Sequence, residues 1–129
     1  MVQKIKVLAE GKYIRFVKRG EWEYVERKNC SGAVIVVAQT DDGKVLFVDQ
    51  YRPPLDKRVI EFPAGLVGDK GKESVNVAAK RELLEETGYL AKRFVKLCAG
   101  PVESGKSSMM LTMVRAEEIK KVQDGGGVE

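Results

Sequence analysis

One segment constrains this chain more than any other: residues 73–89, ESVNVAAKRELLEETGY. It reads as an amphipathic helix over residues 74–87, stopped by Gly88 just past the last turn. Its charges are badly placed for a helix that serves stability alone. Glu82 and Glu86 are four residues apart and share a face, about 40° from each other, with Glu85 about 60° to the side of Glu82. Like charges at that spacing repel by roughly 0.2–0.5 kcal/mol. Glu85 and Glu86 also crowd the negative end of the helix dipole, where Lys or Arg would be favourable. Two local rules broken at one spot point to a site. Clustered oxygen ligands with no His or Cys nearby suit Mg²⁺ or a similar ion. A solvated, charge-rich helix face is the other reading of the same spacing.

The rest of the chain is mostly strand-like. Residues 4–9, 12–18 and 21–27 alternate at period two around the turns Glu10-Gly11 and Arg19-Gly20. Residues 32–39 form a continuous β-branched run, the pattern of a strand buried on both faces. The turn Asp41-Asp42-Gly43 leads into a strand over residues 44–51, so these two are expected to pair as a hairpin. Pro53-Pro54 breaks the pattern, and Pro63-Ala64-Gly65 ends a short strand at 59–62. Two more strands are expected at 94–98 and 109–116, with a single helical turn at 117–122. Many strands around one strong helix indicate an α+β fold or a sheet sandwiched by helices.

At 129 residues the chain is one domain with enough length for a real core. Residues 1–28 read as a separate N-terminal β-hairpin unit, and residues 29–129 as the main domain. No apolar run approaches the roughly 18 residues that cross a membrane, and the N-terminus lacks the apolar stretch of a secretory signal. Cys30 and Cys98 have no metal-ligand spacing and are expected as free thiols in a reducing cytoplasm. The absence of His excludes His-activated nucleophiles and His metal ligands. The net charge of +4 is spread among interleaved acids, which argues for a small anionic substrate over a nucleic acid.

From Glu73 onward the helix resembles the signature box of the Nudix hydrolases, G-x5-E-x7-R-E-U-x-E-E-x-G-U, where U is a bulky apolar residue. Glu73, Arg81-Glu82, Leu83, Glu85-Glu86, Gly88 and Tyr89 fill every fixed position. The first Gly of the box is the departure. Val67 stands in its place, and Gly65 becomes the equivalent, with a loop two residues longer. A longer surface loop is thermodynamically cheap and leaves the helix register unchanged. The segments Val48-Asp49-Gln50-Tyr51-Arg52, residues 60–65 and residues 22–27 are further similar to ADP-ribose pyrophosphatases and nucleotide-sugar hydrolases of this family.

The resemblance implies a Nudix-type α/β/α sandwich, a mixed β-sheet packed between helices, and hydrolysis of the pyrophosphate bond of ADP-ribose or a nucleoside diphosphate sugar. Mg²⁺, with Mn²⁺ as a substitute, would be held by Glu82, Glu85, Glu86 and the Ala64 carbonyl. Arg81 would orient these ligands by pairing with Glu85 or Glu73. Arg27, Arg52 and Glu61 would meet the substrate, and Trp22 would stack on its base. Trp22 equally fits a ring that covers a sheet, and Arg52 a solvated edge charge. The general base would be Glu129, with Glu103 the other candidate. The same resemblance implies a homodimer that exchanges its N-terminal strands, placing Trp22 and Arg27 at the other subunit's site. It also implies that the main domain lacks its C-terminal end. A Nudix hydrolase of nucleoside triphosphates or other dinucleotides and a non-catalytic nucleotide-binding module are the alternatives.

Overall fold

The computed structural model describes residues 3–126. Its centre is a four-stranded mixed sheet in the order β7-β4-β9-β8. β4 (Gly32–Ala38) lies antiparallel to β7 (Ala64–Val67) and parallel to β9 (Met110–Lys121), which in turn pairs antiparallel with β8 (Tyr89–Pro101). One helix, α1 (Val75–Thr87), lies across one face of this sheet.

The helix forms where the sequence places it. The Ser74 side chain accepts a hydrogen bond from the Val77 amide at 3.2 Å and caps the N-terminus. At the other end Gly88 adopts φ +77° and its N–H bonds back to the Leu84 carbonyl at 2.9 Å. That left-handed conformation favours glycine, and a Cβ at this position would also run into the Gln123 carbonyl. Residues after β9 lie over the helix end: the Gly126 amide donates to the Glu86 carbonyl at 3.0 Å. Ala78, Ala79 and Leu83 are fully buried against Val34, Val36, Val114 and Ala116. Two alanines in the contact stripe let the helix backbone sit close to the sheet.

β4 alternates between fully buried and half-buried residues. Val34, Val36 and Ala38 face α1, whereas Ala33, Ile35 and Val37 line the opposite face and are half-buried. The continuous β-branched run therefore has one fully covered face among the described residues, which hold one α-helix.

The N-terminal unit is a three-stranded antiparallel sheet rather than a simple hairpin. It comprises β1 (Ile5–Glu10), β2 (Ile14–Arg19) and β3 (Trp22–Arg27). The outer edge of β3 is occupied by the turn between β8 and β9: Val25 donates to the Lys106 carbonyl at 2.8 Å and accepts from Ser108 at 3.1 Å.

Two other expectations change. Residues 44–51 do not pair with β4 as a full hairpin; a single bridge joins Gln39 to Val45. The strand proper, β5 (Val48–Arg52), pairs instead with β6 (Lys57–Glu61) across a 3-10 turn at Pro53–Leu55. The proline pair thus turns a ribbon rather than ending one. Of the span 117–122, expected as a helical turn, residues 117–121 continue β9. Its charges are satisfied across the hairpin, with Arg93 on Glu117 and Glu118, and Ile119 is buried opposite Ala91. Pairing with β8 outweighed the local helical composition.

Two substitutions test this framework by chemical denaturation. Leu83→Ala should cost about 2–5 kcal/mol, the range for emptying a buried leucine site. Gly88→Ala should cost about 2 kcal/mol or more, because the left-handed backbone and the Gln123 carbonyl both oppose a Cβ.

Candidate metal and substrate site

The exposed face of α1 organises around Arg81. Its guanidinium donates to Glu73 Oε1 at 2.7 Å, to Glu82 Oε1 at 2.7 Å and to the Leu66 carbonyl at 3.3 Å. Asp69 lies at 3.8 Å and Glu85 at 3.9 Å. Both pairings expected for Arg81, with Glu73 and with Glu85, are therefore present, the first much tighter. Arg81 reconciles the like charges of the helix by standing among them. Glu73 is held from a second side by the Gly68 amide at 3.1 Å. That amide first, and Arg81 second, hold the Glu73 carboxyl below the usual carboxylate range.

Glu82 and Glu86 are brought to the same short stretch of β7. Glu86 Oε2 accepts from the Ala64 amide at 3.1 Å. The Glu82 carboxylate lies over Gly65 so closely that a Cβ there would collide with it. Glycine at 65 thus lets the Glu82 carboxylate rest against β7, and a side chain there would displace it. Burial pushes the Glu82 carboxyl up against the opposing pull of Arg81, with Glu85 and Asp69 adding to the rise. Glu85 stands at the rim, its side chain 42% exposed. Among the described residues no three His, Cys, Asp or Glu side chains are brought together closely enough to hold a metal ion. The donor set is nonetheless that of a hard divalent cation: partly buried carboxylates on successive helical turns beside the backbone of Ala64, with Glu82 in an environment that favours a compensating positive charge.

The ribbon β5–β6 contributes the next layer. Arg52 Nε donates to Glu61 Oε2 at 2.8 Å, so these two candidates occupy one place as an ion pair. Gln50, to which the sequence reading gave no role, donates from Nε2 to Glu86 Oε1 at 3.3 Å. The available signal was its position two residues before Arg52, which puts both on one face of a strand.

Trp22 and Arg27 belong to the N-terminal sheet. Trp22 is 63% exposed, and its indole N–H donates to the Gly105 carbonyl at 2.9 Å. The ring stands beside Arg19, Tyr24, Ser104, Ser107 and Ser108 around an open hollow. Arg27 is exposed at the end of β3, opposite Ile14. Glu103 lies in the turn between β8 and β9 and pairs with Lys106 at 3.7 Å. Glu129 lies outside the described residues.

The depressed Glu73 carboxyl makes a testable statement about stability. A group whose carboxyl is lowered in the folded state contributes stability above its unfolded pKa and loses it as pH falls through the folded value. Glu73→Gln should therefore lower the thermal unfolding midpoint at pH 7, and the gap from the native protein should close as the pH is taken below about 4, near the unfolded carboxylate value.

Residues 30–127 match the NUDIX domain family. A Bacillus subtilis protein named ADP-ribose pyrophosphatase is 41% identical over 93 residues, 72% of this chain and 49% of that protein. A Bacillus methanolicus protein named methanol dehydrogenase activator is 37% identical over 98 residues, 76% of this chain and 52% of that one. The chain thus spans about half the length of these relatives. A crystal structure of an ADP compounds hydrolase superposes over all of this chain and 70% of its own, with a TM-score of 0.73 and 21% identity, and shares the fold. The chain belongs to the Nudix domain family.

Proposed function

We propose that the protein hydrolyses the pyrophosphate bond of ADP-ribose or of a nucleoside diphosphate sugar, using a divalent cation. The observation that carries this reading is the convergence of Glu82 and Glu86 on the Ala64–Gly65 backbone, with the Arg52–Glu61 pair on the neighbouring ribbon. The name of the Bacillus subtilis relative supports the substrate class.

Glu82, Glu86, Glu85 and the Ala64 carbonyl would hold Mg²⁺, or Mn²⁺ in its place. When bound, the ion supplies charge neutralisation for the pyrophosphate and a more acidic water. Arg81 keeps Glu73 and Glu82 in register. Arg52 exchanges Glu61 for a phosphate oxygen, a substitution that suits a planar guanidinium. Trp22 offers an exposed ring for the base, worth roughly 1–3 kcal/mol when stacked, and Arg27 adds charge to the same strand. Glu129 and Glu103 are the two candidates for the base that takes a proton from the attacking water. Water adds across the P–O–P bridge, so ADP-ribose would yield AMP and ribose 5-phosphate.

The protein would act as a homodimer in the cytoplasm on a small nucleotide, without nucleic-acid or membrane partners. Ile5, Val7, Phe16 and Trp22 on the N-terminal sheet are between 40% and 63% exposed, apolar area that suits an exchanged or shared subunit interface. Arg15, Lys28 and Arg93 are paired with acids, which favours a small ligand over a polyanion. Among the described residues no helix is long and apolar enough to cross a membrane.

The decisive assay offers ADP-ribose, GDP-mannose, UDP-glucose and a nucleoside triphosphate with Mg²⁺ and measures released phosphomonoester. The expected result is turnover of ADP-ribose or a nucleotide sugar that EDTA abolishes and Glu86→Gln lowers by about 10²–10³-fold, as for a lost transition-state charge contact. Turnover confined to the triphosphate would replace the substrate class. Nucleotide affinity without turnover would replace catalysis with binding. Sedimentation equilibrium should give twice the chain mass; a monomer at working concentrations would remove the shared interface.

A further inference from the structure

The ribbon β5–β6 stands beside the main sheet rather than within it. Its attachment to the helix includes a bond between two side chains, Gln50 Nε2 to Glu86 Oε1 at 3.3 Å. The other oxygen of Glu86 accepts from the Ala64 amide at 3.1 Å. Both carboxylate oxygens are thus engaged by neutral N–H donors.

We infer that Gln50 is a positioning residue for Glu86, fixing the carboxylate for a divalent cation and tying to it the ribbon that carries Arg52. The inference rests on the metal-ligand role proposed for Glu86. A glutamate left to itself samples many rotamers, and confining it costs up to about 2 kcal/mol. Gln50 and Ala64 fix the head group before any ion arrives. The donor is an amide, not a Lys or Arg, so it orients the carboxylate without adding a positive charge that would compete with the ion. The alternation of a strand places Gln50 and Arg52 on the same face of β5, so the bond that orients the ligand also sets the ribbon's phosphate-directed arginine.

The test is Mn²⁺ affinity, read from the free-ion EPR signal in titrations of the full chain without substrate. Gln50→Leu keeps the bulk and removes the donor. It should weaken Mn²⁺ binding by about 10-fold to 100-fold, the usual effect of losing a hydrogen bond to a metal ligand. Its metal-free unfolding midpoint should stay near that of the unaltered chain, since Gln50 is only part-buried. Gln50→Ala is measured beside it and should move the same way, which keeps the test open if leucine disturbs the ribbon. Unchanged Mn²⁺ affinity in a folded variant would overturn the role, as would a loss explained by unfolding in both variants. An unaltered chain that binds no Mn²⁺, or a Glu86→Gln chain that binds it equally well, would instead overturn the metal reading on which the role rests.

Discussion

Everything that could act chemically in this molecule depends on how closely α1 lies on the sheet. Ala78 and Ala79 present almost no side chain, and Leu83 fills the space between β4 and β9. The helix axis is thereby drawn towards β7, near enough that Glu82 reaches over Gly65 and Glu86 reaches the Ala64 amide. A larger residue at 78 or 79 would lift the helix, and both carboxylates would lose their backbone neighbours together. Packing and site geometry are one constraint here.

The second organising element is electrostatic. Three glutamates, Glu73, Glu82 and Glu85, and Asp69 are gathered around a single guanidinium. Arg81 is suited to this because its donors form a rigid planar fork, so it can meet Glu73, Glu82 and the Leu66 carbonyl in different directions at once. The arrangement remains rich in negative charge. Burial raises Glu82 even with Arg81 alongside, which is the state expected of a place that accepts further positive charge.

How legible all this was in the sequence differs from residue to residue. The helix, its Gly88 stop and the partners of Arg81 were readable because fixed helical spacing converts residue number into position. Strand partners were harder. Nothing local distinguishes a residue 48–52 strand that continues a hairpin with β4 from one that pairs with Lys57–Glu61, because the choice is made by distant backbone. The 117–122 segment has helical composition, and only its pairing with β8 makes it a strand. Gln50 lay inside a recognised segment, but its role depends on a contact 36 residues away that spacing cannot reveal.

A helix end normally frays, and its last carbonyls exchange between water and one another. At α1 this freedom is suppressed. Gly88 closes the turn, and Gly126 caps the carbonyl of Glu86 itself. Gly125 packs so tightly against Thr87 that it too leaves no room for a Cβ. The peptide units that carry the last two glutamates are therefore rigid before any ligand arrives. Ordering them is part of folding, so a ligand that met these glutamates would not have to straighten the chain.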